Sequence, residues 1–176
     1  MAVHAVCETT NLRAVHYAER IWDGVCDVDI DNGTIGYLDG QAEEGGVIYN
    51  FVAGTKKGMA PVLVHMPEWN PDTSNRLNQR KDKFYNEANV PFRCFTLKAG
   101  DEFALSPEGF AGEPEVGKYV SVDANGKLAV ADAAVDGAVL VGKIMRKRQI
   151  GSTLVTPLRT YGYERMMYTV KVESLA

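Results

Sequence analysis

The chain has 176 residues, 45% of them apolar and 24% charged, and 19 Lys+Arg against 23 Asp+Glu leave a formal charge of -4. That length suits a domain burying about 70% of its extended-chain surface without a disulfide or metal staple, and the apolar share excludes intrinsic disorder. No apolar run approaches the roughly 18 residues of a membrane-crossing helix, Met1–Glu8 lacks the features of a secretory signal, and mild acidity argues against coating nucleic acid; a soluble, cytosol-made protein is expected.

Taken in chain order, Thr10–Arg20 comes first. Leu12, Val15, Tyr17 and Ala18 form a tolerable helical stripe behind a Thr10 or Asn11 cap, but an extended or irregular arm is the preferred reading. Asp27–Leu38 reads as a hairpin around Asn32-Gly33, the favoured pair for a type I′ turn. A two-residue loop would set Ile30 opposite Ile35 and Val28 opposite Tyr37, gathering the apolar side chains on one face. Pro61–Pro67 is a short apolar run fenced by prolines, as in an edge or crossing strand. Residues 68–90 turn polar and then basic and are expected to protrude as a long loop or short helix. Val90–Leu97 and Asp101–Leu105 read as strands flanking a Lys98-Ala99-Gly100 turn. Residues 106–117 form a Gly/Pro-rich acidic loop.

A second hairpin, Lys118–Val130, contains its own test of register. A two-residue loop would send Leu128 to the face opposite Val122. A three-residue loop, Ala124-Asn125-Gly126, pairs Val122 with Leu128, Val120 with Val130 and Asp123 with Lys127, which selects a type I turn closed by a left-handed Gly126, a G1 bulge. Ala138–Met145 is apolar on both faces and should be central in its sheet. Residues 166–173 alternate with period two and tie the C-terminus into a sheet. Val-rich composition with 17 glycines and eight tyrosines favours pleated structure. The expected fold is all-β: a small β-barrel or β-tulip-like body of antiparallel hairpins, with an extended N-terminal arm and long loops. Residues 1–105 form an N-terminal unit, 106–117 the loop, and 118–176 a C-terminal β unit, compatible with one compact domain.

Cys7, Cys26 and Cys94 lack CxxC spacing and read as buried free thiols in a protein folded under reducing conditions. Asp27-x-Asp29-x-Asp31-Asn32-Gly33 imitates a calcium loop, but its glycine is one position late and position twelve is Leu38. His4, His16 and His65 lack metal-ligand spacing. No nucleophile elbow, phosphate loop or dinucleotide fingerprint occurs, and a spatial Cys94–His65 pair has no orienting motif beside it. No catalytic, metal or cofactor residue is therefore assigned, and no enzyme activity is expected. Charge patterning is more informative. Basic groups at Arg76, Arg80, Lys81 and Lys83, and at Lys143, Arg146, Lys147 and Arg148, stand in an acidic chain, and the aromatics Trp69, Phe84, Tyr85, Tyr161 and Tyr163 lie among polar neighbours. Ordinary solvated surface is one reading of these residues. Docking between copies or onto a partner, with Trp69 and the basic groups as candidate interface, is the other.

Glu8-Thr9-Thr10-Asn11-Leu12 with Ala14–Glu19, Asn32–Gly40, Asn78–Asp82 and Gly142–Arg148 together resemble small structural proteins of tailed bacteriophages. The sequence is similar to head decoration, or capsid cement, proteins. The resemblance implies a β-rich body on the outer surface of the virion capsid, bound to the major capsid protein, self-associating as a trimer or dimer, with no cofactor and no direct nucleic-acid or membrane partner. Another virion part (minor capsid, head-fibre base or tail-tube protein) and a β-barrel ligand-binding or enzymatic domain are the rival readings. The last of these predicts a deep pocket with convergent polar groups.

Overall fold

The computed structural model describes residues 3–44, 46–69, 80–155 and 160–176. Its strands are β1 (Cys7–Asn11), β2 (Ile21–Val25), β3 (Ile35–Gln41), β4 (Ile48–Ala53), β5 (Val62–Val64), β6 (Phe92–Thr96), β7 (Glu102–Leu105), β8 (Phe110–Ala111), β9 (Tyr119–Val122), β10 (Leu128–Ala131), β11 (Leu140–Val155) and β12 (Thr160–Leu175). The fold is all-β, as expected. Strands β2-β4-β3-β5-β6 close into a barrel, and β1-β7-β12-β11-β9-β10-β8 form a seven-stranded sheet. Antiparallel pairing dominates, with two parallel pairs, β2 with β4 and β8 with β10.

Alternation along the barrel strands separates two cores. Phe51, Val62, Val64, Phe92 and Cys94 fill the barrel together with Ile30. Gly24 and Gly36 face the same interior: a Cβ at Gly24 would meet Cys94 and Phe92, and one at Gly36 would run into the Phe51 ring. Small residues opposite large aromatic ones are how a narrow barrel is packed solid. Phe51 and Phe92 meet edge to face, 5.4 Å between centroids. On the outer side of the same strands, Ile35, Leu63 and Phe95 join Phe103, Leu105, Val120, Leu128, Leu140, Ile144, Val170 and Val172 of the sheet in the main core. The barrel wall is thus buried on both sides where it meets the sheet.

The β9–β10 hairpin has the register its sequence demands: Val122 faces Leu128 and Val120 faces Val130. Gly126 takes φ +78°, and Asp123 caps the turn by accepting from the backbone N–H groups of Asn125 and Lys127. A second reason for glycine lies outside the hairpin. The Gly126 carbonyl accepts the Ile35 N–H at 2.8 Å, and a Cβ at Gly126 would strike the Ile35 carbonyl oxygen. β11 is the central strand of its sheet, and β12 carries the C-terminus between β11 and β7.

The Asp27–Leu38 hairpin does not form. The chain does turn at Asn32-Gly33, with Thr34 N–H bonded to the Asp31 carbonyl and Gly33 at φ +89°. Only Gly33 of that pair has positive φ, whereas a type I′ turn needs both. Ile35 instead pairs with Leu63 and Tyr37 with Val52, while Ile30 bridges to Asn86 and Val28 is exposed. Burial of Asn32 decides the outcome. Its Oδ1 accepts from the Met66 N–H (2.9 Å) and from Asn86 Nδ2 (3.2 Å), and its Nδ2 donates to the Met66 carbonyl (2.8 Å). The Asn-Gly pair is an internal clasp rather than a hairpin tip.

Three further expectations are refined. Pro61–Pro67 yields β5, flanked by β3 and β6 inside a closed barrel rather than at an edge. Lys98–Gly100 does turn, with Asp101 N–H on the Lys98 carbonyl, but it carries the chain from the barrel at β6 to the sheet at β7. The N-terminal segment is extended over Cys7–Asn11 and continues in short 3-10 turns at Arg13–His16 and Ala18–Arg20. It is laid into the body: β1 pairs with β7, and Ala5, Val6, Cys7, Leu12 and Ala14 are buried. Asp31 fixes its start by accepting from the Ala5 N–H and bonding His4 Nδ1.

Candidate functional site

Two features stand out from the packed body: a ribbon and a cup. The ribbon is the outer part of β11 and β12. Among the described residues, flanking strands accompany this pair only at its base, where β9 pairs with Val141–Lys143 and β7 with Tyr168–Lys171. From Arg146↔Thr169 to Val155↔Thr160 the two strands are paired with each other. At about 3.4 Å per residue, residues 160–167 alone extend roughly 25 Å beyond that support. The near part rests on the body through Ile150, packed with Val6, Ala104 and Met167.

Register irregularities flank Gly142 and Met145. The second is a bulge that leaves Met145 out of the pairing between Ile144↔Val170 and Arg146↔Thr169, and one extra residue exchanges the faces of everything after it. Ile144 points into the main core, whereas Arg146 and Arg148 share the opposite face with Thr169 and Met167, and Lys147 takes the other side. The basic run is therefore split. Arg146 Nε donates to Thr169 Oγ1 at 3.1 Å, Arg148 pairs with Glu8, and Lys143 lies 5.0 Å from the Tyr119 ring centre.

The other basic group is drawn into a joint beneath the ribbon. Asp82, fully buried on the 3-10 turn Lys81–Lys83, accepts from Arg80 (2.9 Å) and Arg165 (3.0 Å), and Arg165 also binds Glu108 at 2.7 Å. Lys81 approaches Glu68 at 3.8 Å, and Lys83 also has partners within the chain. Trp69 is 64% exposed, while Arg76 lies outside the described residues. Tyr85 stacks on His4 with centroids 4.9 Å apart. Of the named interface candidates, Trp69, Arg146, Lys147 and Arg148 are exposed, whereas Arg80 is drawn together with Arg165 around one carboxylate.

The cup is the open end of the barrel. Trp22 of β2, Leu38 and Gly40 of β3, Tyr49 of β4, Val62 of β5 and Thr96 of β6 line it, beneath a lip of Glu19, Arg20, Met59, Ala60 and Lys98. Its volume is about 460 Å³, within the range of small-molecule sites. The Trp22 and Tyr49 rings stand perpendicular, 5.4 Å apart, and the indole N–H is held by Thr96 Oγ1 at 2.9 Å. The other end of the barrel is plugged by Ile30 and Phe92. No protein family, curated protein or solved structure matches the chain.

Neither β2 nor β4 is among the strands expected from the sequence, so Trp22 and Tyr49 are absent from the candidate residues. The available signal was Tyr49, Phe51 and Ala53 alternating with Asn50 and Val52, together with the glycines at 24 and 36. The remaining chemistry-bearing groups are spoken for separately. Asp31 binds His4, Asp29 accepts the Ala88 N–H, and Asp27 contacts Cys26. Among the described residues no three His, Cys, Asp or Glu groups come together as a metal cluster. Cys94 points into the barrel, whereas His65 meets the outward Phe95 ring, so the wall separates them. Burial pushes the Cys7 and Cys94 thiols far up and the His65 imidazole down; Glu68 opposes the His65 shift.

Proposed function

We propose that this chain is a non-enzymatic structural assembly protein whose ribbon lies across neighbouring subunits, in the manner of a capsid decoration protein bound to the outer surface of a phage shell. The observation that carries this reading is the β11–β12 ribbon. A two-stranded ribbon in water is marginally stable by itself, and among the described residues no further strand pairs along the outer part of this one, which makes its edges templates for strand addition. A segment of that kind gains stability when a neighbour covers it. The solid barrel–sheet body provides the rigid base from which the ribbon is aimed. Resemblance to decoration proteins names the neighbour: the major capsid protein, with further copies of this chain beside it. Binding only the assembled shell would lower that state's free energy by mass action, and repetition around the lattice would add avidity.

The test shortens the ribbon and keeps the strands that pair with β7 and β9. Ile150 and Arg165 are cross-strand partners, so replacing residues 151–164 with Asn-Gly closes the strands in a two-residue turn. The full chain is expected to cosediment stoichiometrically with expanded shells of the capsid protein encoded alongside it. The shortened chain should keep its circular dichroism and melting transition but lose the shell. Equal binding by a folded, shortened chain would refute the role of the ribbon, and a full chain that stays in the supernatant would refute the capsid reading.

A further inference from the structure

We propose that the barrel mouth is a binding site for a small aromatic carboxylate. Three observations at the cup point to this class. The first is shape. Trp22 and Tyr49 form a right-angled aromatic corner over an apolar floor of Leu38 and Val62, closed at the side by Met59. Such a corner receives a planar ring by stacking on one wall and meeting the other edge-on. The Thr96 bond fixes the indole in place before any ligand arrives, so little side-chain freedom is lost on binding.

The second observation is a guanidinium at the lip. Arg20 lies at the lip, its guanidinium carbon 5.7 Å from the Tyr17 ring centre, and its Nη1 is shielded from water with no hydrogen-bond partner. Nη1 itself is too enclosed to meet a ligand, but the part of Arg20 that lines the cup would pair with a carboxylate in the planar geometry that guanidinium matches best. The third observation is charge. Lys98 stands on the same lip, and Glu19 is the one acidic residue in the lining, so the rim is net positive on a chain of charge -4. Neither the ribbon nor shell binding enters this inference, and the two stand or fall separately.

The experiment uses the full chain carrying Trp69→Phe, which leaves Trp22 as its single indole. 3-Phenylpropionate and its neutral amide, 3-phenylpropionamide, are titrated while Trp22 emission is followed, with calorimetry in parallel. The acid should saturate below about 1 mM and bind about tenfold tighter than the amide, the scale of one charge-assisted hydrogen bond. Arg20→Gln should bring the acid down to the affinity of the amide and leave the amide unchanged, with melting temperature and circular dichroism confirming the fold. Acid and amide binding equally, an Arg20→Gln variant that keeps the preference, or no saturable response to the acid each overturns the proposal.

Discussion

Replacing Asn32 with Ala removes a clasp whose cost can be worked from its bonds. Three hydrogen bonds disappear together: those from the Met66 N–H and Asn86 Nδ2, and that to the Met66 carbonyl. Asn86 Nδ2 keeps a second acceptor in the Ile30 carbonyl, so the stranded groups are mainly those of Met66. The bond to Asn86 is worth about 1 kcal/mol net, and leaving each of the two half-buried Met66 groups unpaired costs about 1–2 kcal/mol, the lower part of the range for buried groups. The expected loss is therefore about 3–5 kcal/mol, a large part of the roughly 5–15 kcal/mol that holds a domain folded. Asn125→Ala is the matched control, since its side chain is exposed on the turn of the second Asn-Gly pair, and surface changes of that kind stay within about 0.5 kcal/mol. Urea unfolding followed by tryptophan emission should show the Asn32→Ala midpoint falling by about 2 M, with Asn125→Ala close to the parent chain. A loss below about 1 kcal/mol for Asn32→Ala, or equal midpoints for the two variants, would refute the assignment of Asn32 as an internal clasp.

Thiol reactivity should divide the three cysteines. Cys7 and Cys94 are buried, with thiol ionisation pushed far up by desolvation, whereas Cys26 is half-buried at the barrel end. Titration with an aromatic disulfide at pH 8 should label Cys26 alone in the folded chain and all three in urea; rapid labelling of Cys94 would contradict a filled barrel. Stability should also fall on mild acidification. Burial lowers the folded-state affinity of His65 for a proton, with Glu68 acting against that shift and Lys81 reinforcing it. The unfolded chain takes up the proton near pH 6.5 and the folded chain only below that, so stability is lost from about pH 6.5 down to the folded value, at up to about 1.4 kcal/mol per pH unit. Chemical unfolding of the parent and of His65→Gln at pH 7.5 and 5.5 should give a smaller pH difference in the variant, and an unchanged difference would remove His65 as its source.

What could be read from the sequence was whatever local pairing decides. The β9–β10 register follows from where Leu128 must point, and β12 from period-two alternation between Met166 and Glu173. The same reasoning failed at Asn32-Gly33, because a local turn preference worth about 1 kcal/mol was overruled by three bonds to segments more than thirty residues away. β2 pairs with strands far along the chain, in parallel with β4 and antiparallel with β6, so no hairpin signal marks it, and closure of the barrel depends on those distant partners. The cup inherits that difficulty. Its residues come from five strands, and Arg20 becomes notable only where the fold sets it on the rim. The basic runs were visible as composition, but the Met145 bulge, which sets the faces that Arg146, Lys147 and Arg148 take, was not.

Ile35, Leu63 and Phe95 leave the barrel wall with no watery side where it backs onto the sheet. β5 therefore reads as the unbroken apolar run Val62-Leu63-Val64 rather than as an alternating strand, and a polar residue at any of its three positions has no face on which to hide. The barrel cannot be lifted out as a module, because excising it would bare the greasy back of its own staves. Heat or denaturant should melt barrel and sheet in a single step, and a molecule lodged at the mouth would brace the base of a ribbon that it never touches.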